Sequence, residues 1–166
     1  MATKRWKKLE QDTQDFFTAK AEWWPLIYHR FYDTGSTGAT SFLPTQPGDH
    51  LVIFNGQPIL IETKSSERYE TLSSCFAGMV DDDQIAQHIF WNRAGAITLF
   101  VFLGSNGRYE VWDGNYCAVC RMNSYRLDQD KKLKTSDTLA QAFTDLRLKG
   151  MFGYRQILVF PDWEKK

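Results

Sequence analysis

The sequence lacks several features that would each define a class of protein. No apolar run approaches the ~18–20 residues that a transmembrane helix requires, so no membrane association is expected. Three cysteines are too few and too unevenly placed for a disulfide framework. The basic N-terminus is not followed by the apolar segment of a secretory signal. We therefore expect a soluble intracellular, cytoplasmic protein.

An excess of charge of one sign is also missing. The chain contains 20 Lys and Arg residues and 20 Asp and Glu residues, so its formal net charge is zero. This balance excludes a uniformly basic surface, but contact with DNA phosphates requires only one basic face. The charges are unevenly distributed, because segment 67–83 is acidic whereas residues 4–8, 121–134 and 147–155 are basic. Binding to nucleic acid therefore stays open.

Common catalytic motifs are absent as well. The sequence has no Gly-Lys-Ser/Thr phosphate loop and no nucleophile elbow to accompany a histidine. Cys117 and Cys120 form half of a zinc motif without a second half, and their predicted strand does not suit a redox dithiol. We expect them to pack in the core. The Asp81–Asp83 cluster is a rival metal site, for which helix capping is the simpler interpretation.

The chain has the length of one domain, residues 1–166, and its apolar periodicity predicts an α/β fold. Predicted helices run over residues 4–22, from the Asp81–Asp83 cluster to Arg93, and from Thr135 or Ser136 to Lys149. Predicted strands cover residues 26–32, 49–54, 58–63, 96–103, 108–111, 116–121 and 156–160. Residues 33–48 form a long Gly-, Ser- and Thr-rich loop that leads to Asp49.

The strongest local signal is Asn55-Gly56 between two apolar runs, because a type I′ turn needs positive φ at both central residues. With these two residues as the loop, the numbers of paired residues sum to 111, which places Asp49 opposite Glu62. Their Cβ atoms are then expected to lie ~4.5–5.5 Å apart. Lys64 follows Glu62 by two residues and therefore faces the same side of the strand.

Two carboxylates at this separation repel each other unless one is protonated or a cation lies between them. Oxygen ligands with water completing the shell suit Mg²⁺ or Mn²⁺. Such a metal lowers the pKa of an attacking water, and an adjacent ammonium stabilises negative charge on a phosphate. The pattern therefore indicates phosphodiester hydrolysis. The alternative interpretation is an ion pair that ends an apolar hairpin.

The same residues resemble a known family. Asp49 after a Pro-Gly pair, followed by Glu62-Thr63-Lys64, resembles the PD-(D/E)XK nuclease signature, most closely that of RecU-like Holliday junction resolvases. The resemblance covers roughly residues 26–103 and implies a restriction-endonuclease-like fold with a central mixed β-sheet flanked by helices. It implies that Asp49 and Glu62 bind Mg²⁺ or Mn²⁺, with the backbone carbonyl of Thr63 as a further ligand. Lys64 would assist the attacking water.

The family also places residues from helices at its metal site. Gln84 matches a glutamine that supports the site from the helix after the hairpin. An acid on the first helix would correspond to Glu10, with Asp15 as the competing position.

The resemblance implies a single nuclease domain that cuts four-way DNA junctions as a homodimer, in recombination and repair, in a protein of bacterial or phage type. The alternatives are a related nuclease that cuts duplex, flap or single-stranded DNA, and a catalytically idle DNA-binding module. Further DNA contacts are predicted at Lys4, Arg5, Lys7, Lys8, Arg30, Thr45 and His88.

Overall fold

In the part of the chain that the structure describes, six strands form a single sheet whose spatial order follows the order along the chain. The computed structural model describes residues 4–22, 26–31, 46–54 and 56–144. The strands are β1 (Leu26–Arg30), β2 (His50–Phe54), β3 (Gln57–Ser65), β4 (Ile97–Leu103), β5 (Tyr109–Asp113) and β6 (Lys134–Ser136). The helices are α1 (Arg5–Ala21), α2 (Phe76–Met79), α3 (Asp82–Arg93), α4 (Gly114–Met122) and α5 (Leu139–Thr144), with 3₁₀ turns at Leu72–Ser74 and Gln129–Lys131.

The sheet is mixed, because β3 and β4 run parallel whereas every other neighbouring pair is antiparallel. A parallel pair needs a crossover connection, which α2 and α3 supply between these two strands. The predicted α/β class, a central mixed sheet flanked by helices, is therefore confirmed. The predicted strand 156–160 and most of the predicted loop 33–48 lie outside the described residues.

Side chains of the central strands alternate between two cores on opposite faces of the sheet. On one face, Val101 of β4 belongs to the core that contains Phe17 of α1 and residues of α5. On the other face, Phe100 packs in the core that contains Ile85 of α3 and residues of α4. Glu62 is the cross-strand partner of Phe100 and therefore faces α3. The period of two thus directs the side chains of Glu62 and Lys64 towards the same helix.

The segment 116–121 is helical, so its prediction as a strand is wrong. The carboxylate of Asp113, the last residue of β5, accepts a hydrogen bond from the Tyr116 N–H (2.7 Å) and caps the helix that follows. Cys117 and Cys120 lie about one turn apart and are both buried. Burial raises the pKa of Cys117 well above its usual range, so its thiol stays protonated. The cysteines pack in the core, as expected.

The start of the last helix also differs from the prediction. Thr135 and Ser136 belong to β6, which pairs with β5, so neither residue caps a helix. The helix begins at Leu139, and the Oγ1 of Thr138 accepts a hydrogen bond from the Gln141 N–H (3.2 Å). A three-residue strand at the edge of a sheet is too short to show a period of two in its sequence. Residues 145–149 lie outside the described residues.

The C-terminal end of α4 carries a backbone conformation that favours glycine. Ser124 has φ of 56°, and its N–H donates to the Arg121 carbonyl (3.2 Å) while the Tyr125 N–H donates to the Cys120 carbonyl (2.8 Å). These are the two hydrogen bonds of a Schellman motif, whose left-handed residue is usually glycine.

Because a non-glycine residue pays a steric penalty there, Ser124→Gly is expected to raise the free energy of unfolding by about 0.5 kcal/mol, after the larger entropy of glycine in the unfolded chain is subtracted. Urea unfolding of the variant and the wild type checks this. A lower midpoint for Ser124→Gly would contradict the assignment of the motif.

Candidate active site

The structure brings Glu62, Lys64 and Gln84 into direct contact. The Nζ of Lys64 lies 2.9 Å from the Oε1 of Glu62. The side-chain amide of Gln84, from α3, donates a hydrogen bond to the same oxygen. Glu62 is only 3% exposed, so a buried carboxylate is shared by one cation and one amide donor. The role of Gln84 in supporting a metal site stays a prediction.

The hydrogen bonds of the helix cap hold Gln84 in this orientation. The carboxylate of Asp81 accepts from the Gln84 N–H (2.8 Å), and the Oε1 of Gln84 accepts from the Asp81 N–H (3.2 Å). This reciprocal pair is a capping box. Because Oε1 is engaged with the cap, the amide nitrogen is the atom that remains to face Glu62. The Asp81–Asp83 cluster therefore caps α3, as the simpler interpretation predicts.

Asp49 reaches the site through a local departure from the predicted strand register. The predicted pairing of β2 with β3 is confirmed from His50–Ile61 to Phe54–Gln57. The Asp49 N–H, however, donates to the Ile61 carbonyl (3.1 Å), so Asp49 and His50 both lie opposite Ile61. Two residues opposite one are the arrangement of a β-bulge. The predicted placement of Asp49 directly opposite Glu62 is therefore wrong.

The bulge turns the Asp49 side chain towards the end of β3. Its Oδ2 accepts hydrogen bonds from the backbone N–H and the hydroxyl of Thr63, both at 2.7 Å. The Asp49 carboxylate thus accepts the hydrogen bond that a main-chain carbonyl of the neighbouring strand would otherwise accept from the Thr63 N–H. In antiparallel pairing, the N–H and carbonyl of one residue point to the same neighbour. The Thr63 carbonyl accordingly faces the same edge of β3 as the Asp49 carboxylate.

Electrostatics in this cluster favour compensation by a cation. Burial, together with the charge of Asp49, raises the pKa of Glu62 to about 7, while Lys64 acts in the opposite direction. A carboxylate that is buried beside another carboxylate ionises more readily when a positive charge approaches. Lys64 supplies part of that charge, and a divalent ion would supply the rest.

The donor set fits Mg²⁺ or Mn²⁺ better than zinc. Asp49 and Glu62 offer carboxylate oxygens, and the Thr63 carbonyl offers a further oxygen beside Asp49. Within the described residues, no group of three or more His, Cys, Asp and Glu side chains is placed to hold a metal ion, so the candidate set has only two carboxylates and a carbonyl. Magnesium commonly binds one or two carboxylates together with substrate phosphates, whereas structural zinc requires four protein ligands. The ligand roles of these residues stay predictions.

The acid on the first helix is linked to the site only indirectly. Glu10 forms an ion pair with Arg30, whose guanidinium also donates to Gln14 (2.9 Å). Arg30 pairs with His50 in the sheet and so lies next to Asp49 in space. The competing residue, Asp15, accepts a hydrogen bond from the neighbouring turn of α1. Contact of Glu10 with a metal, and of Arg30 with DNA, stay predictions.

The basic residues of α1 lie near the end of the sheet that carries the candidate site. The Arg5 guanidinium donates to the carbonyl of Gly104, which follows β4 directly. Lys64 is the cross-strand partner of Phe102, near that same end of β4. Three further cations of this segment, all exposed, are Lys4, Lys7 and Lys8, and the last is paired with Asp12. Thr45 lies outside the described residues.

His88 does not reach the surface, so its predicted contact with DNA is wrong. The ring is fully buried and stacks on Phe100 with a centroid separation of 4.2 Å. His88 lies in α3, one helical turn after Gln84. Its side chain points towards Phe100 in the core rather than towards solvent. Burial lowers the pKa of His88 to about 3, and the nearby charge of Lys64 adds to the effect.

The buried, neutral His88 predicts a loss of stability in acid. In the unfolded chain its pKa is near 6.5, so below that pH the unfolded state binds a proton that the folded state does not bind until pH ~3. Between pH 7 and pH 5, His88 should therefore lower the free energy of unfolding by about 2 kcal/mol.

Urea unfolding at both pH values measures this loss. The variant His88→Leu should lose about 2 kcal/mol less than the wild type over the same interval. Equal losses in the two proteins would contradict the buried, uncharged state of His88.

Comparisons with known proteins add a remote structural likeness. No protein-family model and no characterised protein matches the sequence. Among solved structures, the chain is similar to Hjc, a Holliday junction resolvase from Archaeoglobus fulgidus, over 64% of this chain and 77% of that chain. The TM-score is 0.40 and the sequence identity is 13%. Within the described residues, no helix is both long and apolar enough to cross a membrane.

Proposed function

We propose that this protein is a metal-dependent endonuclease of the PD-(D/E)XK superfamily that hydrolyses phosphodiester bonds in DNA. The observation that carries the proposal is the buried Glu62 carboxylate, which contacts both Lys64 and Gln84 beside a second carboxylate on Asp49. An ion pair that merely ends a hairpin would have no need of the second carboxylate or of a helix-borne amide.

Each residue has a distinct task in this proposal. Asp49, Glu62 and the Thr63 carbonyl would hold Mg²⁺ or Mn²⁺, which polarises the phosphate and lowers the pKa of a water. The hydrogen bonds from Thr63 orient the Asp49 carboxylate. Gln84 fixes the rotamer of Glu62, and the capping box fixes Gln84.

Lys64 is the group placed to act on the reacting atoms. Its ammonium is held by Glu62 at 2.9 Å and its side chain is 18% exposed, so it is anchored yet reachable from solvent. An ammonium in that position stabilises negative charge that develops on a phosphate oxygen and orients the attacking water. The fixed position avoids the cost of reorganising this charge during the reaction.

We further propose a four-way junction as the preferred substrate and a homodimer as the active form. A two-fold dimer places two equivalent sites symmetrically, which suits paired nicks in a branched molecule. The support for this finer proposal is the resemblance of the Asp49–Lys64 motif to RecU-like resolvases, together with the basic segment of α1 near the same end of the sheet.

A substrate panel tests both levels of the proposal. Labelled four-way junction, matched duplex and single strand are incubated with the protein in Mg²⁺, in Mn²⁺ and in EDTA. Cleavage that requires a divalent ion supports the nuclease, and paired nicking of the junction supports the resolvase. Cleavage of duplex or single strand alone would favour another nuclease of the superfamily. Binding without any cleavage would favour the idle DNA-binding module.

A further inference from the structure

A groove of about 800 Å³ lies beside the α3–α4 side of the molecule, away from the residues assigned to catalysis. One wall consists of Tyr69 and residues 73–79, and the other consists of Arg121 and residues 124–127. We call this feature the arginine groove. None of the residues predicted to bind metal or DNA lines it, so its chemistry needs a separate explanation.

The charge of the arginine groove is positive. Arg121 and Arg126 line it, and no lining residue is acidic. Arg121 is held in place by Asp82 (3.1 Å) and by the carbonyl of Ala77 (2.9 Å). Arg126 is exposed and makes no hydrogen bond or ion pair with any residue in the described part of the chain. The Arg126 guanidinium can therefore bind an anion in the groove.

The groove also presents aromatic rings to solvent. Tyr125 is 66% exposed and is adjacent to Arg126 in the chain, and Tyr69 on the opposite wall is 36% exposed. Phe76 and Met79 contribute apolar surface between them. Exposed aromatic rings beside arginines are the combination by which proteins hold unpaired nucleotides, because each base stacks and each phosphate pairs. An acidic peptide would use the arginines but not the rings.

The arginine groove is joined structurally to the candidate active site. Tyr69 follows Lys64 closely along the chain, and its N–H donates to the Ser66 hydroxyl (2.9 Å), which fixes the exit from β3. Asp82, which holds Arg121, lies on the same first turn of α3 as Gln84, the residue in contact with Glu62. The first turn of α3 therefore links the side chain that holds Arg121 to the side chain that contacts Glu62.

We infer that the arginine groove binds an unpaired segment of a DNA strand, with Tyr125 stacked on a base and Arg126 paired with its phosphate. The inference rests on the proposed nuclease function, since the unpaired segment would belong to the DNA that the enzyme cuts. It adds a second contact region, which recognises single-stranded character near the cleavage site.

Fluorescence anisotropy of a short labelled oligothymidine tests the inference in EDTA, where cleavage plays no part. The Tyr125→Ala variant should bind about tenfold more weakly than the wild type, because one stacked base is lost. Arg126→Ala should bind several-fold more weakly. The matched control, Arg93→Ala, removes an arginine at the end of α3 outside the groove and should bind within about twofold of the wild type.

An abasic oligonucleotide of equal charge separates stacking from charge. The wild type should bind the abasic oligonucleotide about as weakly as Tyr125→Ala binds oligothymidine. The affinity of Tyr125→Ala should be the same for both oligonucleotides. Equal affinity of the wild type and Tyr125→Ala for oligothymidine would overturn the inference. Equal competition by polyglutamate would also overturn it, because the groove would then recognise charge alone.

Nicking of paired duplex by the same variants distinguishes this inference from the proposed function. If Tyr125→Ala nicks duplex at the wild-type rate but binds the single strand more weakly, the result supports strand binding by the arginine groove. Absence of cleavage by the wild type on every substrate overturns the nuclease proposal, while the anisotropy result still decides whether the groove binds a strand.

Discussion

Removal of the Lys64 ammonium is expected to lower the rate of DNA cleavage by about 10³-fold without unfolding the protein. The Nζ of Lys64 lies 2.9 Å from the buried Glu62 carboxylate, and the proposed mechanism assigns this cation to the phosphate. Its loss also raises the pKa of Glu62 further, because Lys64 is the charge that opposes the effect of burial. Lys64→Met is the preferred variant, since it keeps most of the aliphatic stem.

Single-turnover cleavage rates at saturating protein measure this effect, with far-UV circular dichroism to verify the fold. The control variant Lys131→Ala removes an exposed lysine from the 3₁₀ turn at Gln129–Lys131 and should leave the rate unchanged. A cleavage rate for Lys64→Met within about threefold of the wild-type rate would show that Lys64 takes no part in the chemical step.

The second large effect is expected from Gly114→Ala, which should lower the free energy of unfolding by about 3 kcal/mol. A Cβ atom at Gly114 would lie 2.3 Å from the Oγ1 of Thr98 and 2.4 Å from the Nδ1 of His88. Both neighbours are fully buried, so neither can move aside cheaply. Gly114 begins α4, and its small size lets α4 approach both β4 and the α3 helix that carries Gln84.

The chain offers a matched control for this substitution. Gly78 lies in α2, and a Cβ atom there would meet no atom within 4 Å. Gly78→Ala is therefore expected to be neutral or to stabilise the protein by up to about 1 kcal/mol. Urea unfolding of both variants measures the difference. Equal stability of the two variants would show that the contact between α3 and α4 tolerates more volume than the structure indicates.

The sequence predicted the hairpin that carries the site but not the bulge that completes it. Asn55-Gly56 set the strand register because a two-residue turn leaves only one pairing, and the pairs up to His50–Ile61 follow it. At Asp49 the carboxylate takes the place of a main-chain partner for Thr63. That substitution depends on how side-chain and backbone hydrogen bonds compete, which the period-two pattern does not encode.

Helix α4 shows why the class of a short apolar segment is ambiguous. Residues 116–121 are rich in apolar side chains, and a run of this length fits a buried strand or one face of a helix. The capping carboxylate of Asp113 decides in favour of the helix. The sequence did not reveal the burial of His88 either. That burial depends on the packing of α3 against Phe100, which lies in a different element of the fold.

The capping box on α3, by contrast, was available from the sequence. Asp81 and Gln84 have the three-residue spacing of a capping box, and the box predicts which end of the Gln84 amide stays free. From the sequence alone, the cap and the glutamine are two separate predictions. Only the structure showed that the cap orients Gln84 towards Glu62.

The most direct test of the central claim is the metal-dependent cleavage of a labelled four-way junction by the wild type and by Asp49→Asn, side by side in Mg²⁺ and in Mn²⁺. The substitution keeps the size of the side chain but removes the charge that, with Glu62, would hold the ion. We expect cleavage by the wild type in both metals, none in EDTA, and a loss of about 10³-fold or more in the variant. Equal cleavage by the two proteins, or cleavage by neither, would contradict a nuclease site at Asp49 and Glu62.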